Sequence, residues 1–587
     1  MTDQTALDAA LAAAQARAEA AEAKAAAALA QAEAAQARAD ALQAAADAAT
    51  LGAPAPPAAT PAEATDAEWI ARVSAAYDFP EGHVPVGSLM VAGEPTPAAQ
   101  VAFPLAMMNR HGLVAGATGT GKTKTLQVLT EGLAAAGVPV FVADIKGDLS
   151  GLAVPGAGTE KLTARATSIG QDWQAKGYPV EFYTLGGLGV GTPIRTTVTD
   201  FGPILLSKVL GLNDTQESSL GLVFHWADSQ GLALLDLKDL RATIAYLISD
   251  EGKPQLKGIG GLSAATAGVI LREIVSLQAQ GADVFFGEPA FETADLLKVA
   301  PDGRGVVSAL ELPAVQDRPA LFSTFLMWLL ADLFSELPEV GDVDRPRLVF
   351  FFDEAHLLFT DASKDFLTQV TQTVRLIRSK GVGIFFVTQT PKDVPKDVLA
   401  QLGSRVQHAL RAHTPDDAAA LRATVRTYPD SEYDLEELLT TLGTGEAIVT
   451  VLSDKGVPTP VAWTRLRAPE SSMDPMPAAA MAAAAAASPQ QARYGAAVDR
   501  ESAYELLTAR AARAEADAAA ETARQEAETA AAAARKEADR RARELAKERT
   551  RASSRSRGTS PLDSLLRSAG TQLGREITRT IFGTRRR

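Results

Sequence analysis

The chain has 587 residues, enough for two to four structural units and a large buried core. Its 57 Lys and Arg stand against 71 Asp and Glu, a net charge of −14, so the chain as a whole has no basic footprint for nucleic acid. With no cysteine, disulfides, thiolate chemistry and cysteine-held zinc or iron–sulfur centres are excluded; with no leader-like start and no run of about 18 strongly apolar residues, a reducing cytoplasm is expected and a membrane is not.

Residues 1–50 mix Ala with Glu, Lys, Arg and Gln and hold almost no helix breaker, so they read as one long helix. Only Leu7, Leu11, Leu29 and Leu42 give it larger apolar positions, which leaves a weakly driven coiled coil and a solvated arm both open. Residues 51–66, with prolines at 54, 56, 57 and 61, read as a linker. From 67 to 467 the composition is that of an α/β domain. A strand at 111–115, a glycine-rich loop, a helix at 122–136 and a strand at 138–143 form a β-loop-α-β unit with parallel strands. Within 201–282 the apolar spacing turns helical, as in Leu240, Ile244, Leu247 and Ile248, which predicts a helical insertion. Further strands are expected at 305–312, 348–352, 383–388, 447–451 and 461–465, mostly as short apolar runs buried on both faces. Residues 468–499 read as an Ala/Pro-rich linker, 500–552 as a second charged helix or coiled coil, and 553–587 as a basic tail with a short helix at 562–582.

The chemistry starts at Gly116, Ala117, Thr118, Gly119, Thr120, Gly121, Lys122 and Thr123, a Gly-x-x-x-x-Gly-Lys-Thr loop between strand and helix. Glycines let successive N–H groups curl around one anion, and the helix start adds positive potential. Lys122 would reach the β- and γ-phosphates of a nucleotide, Thr123 would ligate magnesium, and Lys124 continues the binding segment. The run Leu348 to Phe352 then delivers Asp353 and Glu354 at the C-terminal end of a buried strand, where ligands sit in open α/β sheets. Asp353 suits the metal and Glu354 the activation of water. Gln389 ends the following strand and is placed to sense the γ-phosphate or simply to occupy the loop; an acid and a polar sensor on separate strands point to the RecA-like branch of P-loop enzymes. Arg375 and Arg378, one turn apart, are candidates for an arginine supplied to a neighbouring subunit, with Arg405 third; service as helix C-terminal dipole partners is equally open. Asp144 and Asp148 close the strand after the P-loop helix, to assist the metal or a neighbouring nucleotide or to serve as caps. His356 is expected to pack or bond locally, and the magnesium site is the one metal site expected.

Taken together, Asn109-Arg-His-Gly-Leu-Val-Ala-Gly-Ala-Thr-Gly-Thr-Gly-Lys-Thr123, Asp144-Ile-Lys-Gly-Asp148, Asp353-Glu-Ala-His356, Thr388-Gln-Thr390 and Arg405-Val-Gln-His-Ala-Leu-Arg411 resemble the HerA/FtsK superfamily. Within it they look like the bacterial HerA-like ATPases of the domain-of-unknown-function 853 (YjgR-like) group, over about residues 85–467, with the 562–582 segment similar as well. The resemblance implies a RecA-like core, a hexameric ring around DNA, and ATP with Mg2+ hydrolysed between subunits. It assigns nucleotide binding to Lys122 and Thr123, metal and water to Asp353 and Glu354, sensing to Gln389, and the arginine region to Arg378 or Arg375. HerA proper has an N-terminal β-barrel that docks a nuclease, whereas only about 50 residues separate the linker from the P-loop here. The alanine-rich arms have no counterpart in the family core.

Two functions compete. A DNA translocase or helicase motor draws support from the tail, where residues 535–587 hold 16 Lys and Arg against 6 Asp and Glu. An ATPase switch or scaffold would instead engage protein partners through its helical arms. A repair ATPase of the SMC or ABC type fits less well, since no signature segment precedes Asp353 and the arms lie outside the ATPase.

Overall fold

The computed structural model describes residues 66–359 and 364–553; the expected arm at 1–50, nearly all of the linker at 51–66 and the tail from 554 lie outside the described residues. The chain divides between residues 71 and 72. Of the first unit, the described part is 66–71, the opening of the helix Asp66–Ala76.

The second unit is organised by one twelve-stranded sheet. In chain order its strands are β1 (His83–Val91), β2 (Glu94–Pro104), β3 (Gly112–Ala115), β4 (Val140–Asp144), β5 (Val180–Leu185), β6 (Thr192–Ile194), β7 (Val307–Glu311), β8 (Leu348–Phe352), β9 (Val382–Thr388), β10 (Ser404–His408), β11 (Glu446–Thr450) and β12 (Ala462–Leu466). They lie side by side as β2-β1-β12-β11-β10-β3-β9-β8-β4-β7-β5-β6. From β10 to β6 all neighbours are parallel; β11, β12, β1 and β2 extend the β10 edge as antiparallel strands.

Every residue of β3, β4, β7, β8 and β9 is buried, as expected where helices cover both faces of a parallel sheet. Aromatic pairs thicken this core: the Phe141 and Phe350 rings are 5.1 Å apart and those of Phe351 and Phe385 5.2 Å. The apolar helix Pro319–Glu336 contributes Phe325, Leu326, Leu329 and Leu333 to the same cluster. The expected helical insertion is present as the helices Val198–Phe201, Pro203–Val209, Asp214–Ser229, Leu237–Leu247 and Ala264–Ala279, with short 3₁₀ turns after the last two. Its apolar positions Leu240, Ile244 and Leu247 are buried, as their spacing requires.

β9 separates β3 from β8, so the strand leading to Gln389 stands between the P-loop strand and the acidic strand. That interposed strand defines a RecA-like P-loop fold. His111 helps fix the arrangement: the Ile384 amide donates to its Nδ1 at 3.0 Å, and burial pushes the imidazole pKa down to about 4, keeping that nitrogen an acceptor.

Residues 468–499, read from composition as a linker, are packed on the core in the structure. Glu131, on the P-loop helix Lys122–Ala135, accepts from the Glu470 and Ser471 amides at 2.9 Å each. Gln127 donates to Ser471 Oγ at 2.6 Å, and Gln171 exchanges two bonds with the Ala468 backbone. Composition is blind to this strap because its partners lie some 300 residues away and act through backbone groups. The helix Ala503–Ser553 then starts against Leu237–Leu247, with Asp239 accepting from the Tyr504 amide at 2.8 Å, and is exposed along almost all of 508–549. No described helix is long and apolar enough to cross a membrane.

Candidate active site

The P-loop leaves the C-terminal end of β3 and enters Lys122–Ala135 directly. Gly119 and Gly121 take φ of 79° and 111°, which side-chain-bearing residues rarely adopt, and a Cβ at Gly116 would lie 2.4 Å from the Cβ of His408. Neighbouring strands fix the loop: the Gly116 amide donates to Thr388 O at 3.2 Å and the Ala117 amide to Ala409 O at 2.8 Å. The end of β9 and the exit of β10 therefore both hold the glycine-rich loop.

His408 lies beneath that loop, fully buried, with Nε2 2.9 Å from Thr125 Oγ1. Burial, reinforced by the nearby Lys122 charge, pushes its pKa down to about 3, so it is neutral at working pH. Thr118 and Gly119 are exposed at the tip, Ala117, Gly121, Thr123 and Lys124 are half-buried, and Thr120 is buried. Lys122 is also buried and donates to Ala117 O at 3.2 Å. Burial lowers its pKa while Glu354 and Asp353 pull it up, which sets those three charges in one field. Lys124 points elsewhere: its ammonium donates to Met473 O at 2.5 Å.

Asp353 and Glu354 follow β8. Asp353 is 2% exposed; its Oδ1 accepts from the Glu354 amide at 2.9 Å, while Oδ2 is buried without a hydrogen-bond partner. Burial pushes its pKa up to about 7. Such an orphaned oxygen fits a divalent metal, and Thr123, with its hydroxyl near the start of the neighbouring helix, fits as its partner. Among the described residues there is no cluster of three His, Cys, Asp or Glu able to hold a metal unaided, as expected where phosphates complete the coordination.

Glu354 has φ of 46°, a left-handed conformation that costs about 1 to 3 kcal/mol in a residue other than glycine and marks functional positions. Its carboxylate is bonded by Lys146, and His356 Nδ1 lies 3.2 Å from the other oxygen. Burial pushes the Glu354 pKa up, but the Lys146 bond and the charges of Lys146, His356 and Lys122 outweigh it and hold the group below its usual range. Asp144, by contrast, spends both oxygens on the loop that follows it, accepting from the Gly147 and Leu149 amides at 2.7 Å each. That makes it a cap of its own turn.

Gln389 is exposed directly after β9, and Asp393 organises that corner by accepting from Thr388 Oγ1 at 2.8 Å and the Thr390 amide at 2.9 Å. The arginines lie elsewhere. Arg375 is exposed on the last turn of the helix Lys364–Ile377, and Arg378 opens the short turn that leads into the N-terminal end of β9. Arg378 shares its surroundings with Arg110, which precedes β3, and with Asp342. β9 is seven residues long, so roughly 20 Å of strand separates these arginines from the P-loop of their own chain. Arg405 is turned to Thr427, whose hydroxyl and carbonyl it bonds, and its guanidinium lies 5.7 Å from the Tyr428 ring centre.

Four contributors escaped the sequence reading. Lys146 and His408 stood inside quoted motifs without a role, Arg411 now donates to Thr118 O at 3.4 Å over the loop tip, and Glu311 ends β7 beside Asp144. Glu311 is 6% exposed with Oε1 unpartnered; burial, then repulsion from Asp144 and Asp148, pushes its pKa up to about 8. An acid ending an apolar strand was the available signal.

Among solved structures, the bacterial conjugative coupling protein TrwB in its unbound form is similar at 15% identity and a TM-score of 0.46, covering 70% of this chain and 94% of that one. TrwB in complex with ADP and Mg2+ aligns at 16% identity with the same TM-score and coverage. VirB4 of Thermoanaerobacter pseudethanolicus aligns at 14% and 0.40, over 66% and 96% of the two chains. No curated protein matches the chain. The model of the helicase HerA-like C-terminal family matches residues 90–587, and the chain belongs to that family.

Proposed function

We propose that this protein is a magnesium-dependent ATP hydrolase that works as a ring of identical subunits to move along or separate DNA. The observation that carries this reading is the convergence of Lys122, Asp353, Glu354 and Gln389 at the C-terminal ends of adjacent parallel strands, while Arg375 and Arg378 sit at the opposite ends. In that reading the P-loop amides and Lys122 hold the phosphates, and Asp353 with Thr123 holds the metal. Bound magnesium would neutralise phosphate charge and keep the leaving group in line. Glu354 takes the proton of the attacking water once its carboxylate is released from Lys146, and Gln389 bonds the γ-phosphate. An arginine from the next copy, Arg378 or Arg375, meets the charge that develops in the transition state.

DNA as the track is supported by family membership and by the basic excess of residues 535–587. The test is magnesium-dependent ATP hydrolysis by the wild type and by Glu354→Gln, with double-stranded, single-stranded or no DNA, at low and moderate salt. Stimulation by DNA that disappears in Glu354→Gln supports the motor. Hydrolysis that depends on Glu354 yet ignores DNA assigns the work to protein partners of the helical arms.

A further inference from the structure

We infer that the groove in the helical insertion, between the helix Asp214–Ser229 and residues 197–203, receives residues 562–582 of a second copy of this chain. Its volume is about 660 Å³. It stands apart from the nucleotide site, since no residue of the P-loop lines it and neither Asp353 nor Glu354 does.

Gly221, Phe224, His225 and Asp228 recur three and four residues apart, so one face of Asp214–Ser229 forms a wall of the groove. Gly221 is a poor helix former in mid-helix, and a Cβ there would meet nothing within 4 Å, so the wall is open where a larger residue would fit without a clash. The buried Leu232, Leu234 and Leu235 give an apolar floor. Asp200, Asp228 and Glu288 also line the groove, against one arginine, Arg500, whose Nε lies 2.7 Å from Glu288 Oε2 and so has its charge already met. Large apolar side chains stand uncovered alongside. Ile204, next to the lining Pro203, is 65% exposed, and Val498, whose amide donates to Glu288 O at 3.1 Å, is 53% exposed.

An apolar floor with an acidic rim suits an amphipathic helix whose polar face is basic. The chain carries such a segment in the part of its sequence outside the described residues. Leu562, Leu566, Ala569, Leu573, Ile577 and Ile581 follow a helical period, and residues 562–587 hold six arginines against Asp563 and Glu576. Reach decides which copy is served. Arg500 lines the groove and the helix Ala503–Ser553 departs three residues later, so its 51 residues place Ser553 about 75 Å away. Residues 554–561 fully extended and 562–582 as a helix span together about 60 Å, short of the distance back. The groove of another copy, brought to the far end of the helix, has no such limit.

Because the chain has no cysteine, thiols can be placed one at a time. Full-length His225→Cys and Arg579→Cys chains, carrying different tags, are co-expressed, purified together and treated with a short bismaleimide. The expected product joins the two tags. Adding Gly221→Phe to the His225→Cys chain fills the groove, and adding Asp200→Lys/Asp228→Lys reverses its rim; each should cut the yield about tenfold. A yield just as high with Ser276→Cys, an exposed position on the helix Ala264–Ala279, in place of His225→Cys overturns the inference. So does a chain carrying both His225→Cys and Arg579→Cys that joins its thiols within one copy at high dilution. If the Arg579→Cys thiol joins neither position and duplex DNA alone shields it from maleimide, the segment serves DNA and the inference fails.

Discussion

The two ends of the parallel strands differ in kind. At the C-terminal ends, acids and a lysine are buried, and several carboxylate oxygens lack partners: Asp353 Oδ2, Glu311 Oε1 and Asp148 Oδ1. At the N-terminal ends, Arg375 is exposed, and Arg378 is partly covered beside Arg110 and Asp342, the latter 3.6 Å from Arg110. One edge gathers buried carboxyl groups and the glycine-rich loop; the other offers positive charge about 20 Å away. A single copy cannot bring them together. In the proposed function an arginine from a second copy would do so, and that distance is the physical reason to expect catalysis between subunits.

Removing the arginines should have the largest effect. The double variant Arg375→Ala/Arg378→Ala is expected to lose about 10³-fold or more in kcat with ATP affinity largely kept, because the group acts on transition-state charge. A steady-state assay checks this, and near-wild-type turnover would leave the N-terminal edge without a catalytic part. Glu354→Gln comes next, with an expected loss of about 10²- to 10⁴-fold and nucleotide binding retained. Gly116→Ala attacks the cradle instead. Its Cβ would meet His408 at 2.4 Å, so loss of ATP binding by about tenfold to a hundredfold is expected in a titration.

The smallest effect concerns buried charge at the C-terminal edge. Glu311 has its pKa raised from 4.5 to about 8, so its contribution to stability is present below the lower value and is lost as pH rises through the upper one. The full loss is at most about 5 kcal/mol. Glu311→Gln, which mimics the neutral acid, should flatten that fall in denaturant unfolding measured across this range. An unchanged slope would place the repulsion elsewhere.

Much of this contrast was legible in the sequence, for local reasons. Leu348 to Phe352 is a strand because five apolar residues in a row can be buried on both faces, and Asp353 follows it as a polar stop. The P-loop is legible because its glycines have positive φ and a helix must begin after them. Other features depend on remote partners. The β1–β2 hairpin carries Pro85, Pro95 and Pro97, which obscure a strand pattern, and its place is set by pairing with β12 nearly 380 residues later. The strap at 468–477 is rich in Pro, Ser and Met, and remote groups such as Gln127, Glu131, Ser150, Gln171 and Trp173 on other elements hold it in place. Lys146 could be read as a loop residue but not as the partner of Glu354, since that contact joins positions 208 apart.

The most direct test of the divided site is complementation. Glu354→Gln and Arg375→Ala/Arg378→Ala, each inactive alone, are mixed at equal concentration and assayed for ATP hydrolysis. If the two edges belong to one site shared by neighbouring copies, mixed assemblies contain some interfaces with both parts intact, and the mixture recovers a substantial fraction of wild-type activity. Activity no greater than the sum of the separate variants would contradict a site completed by a second copy.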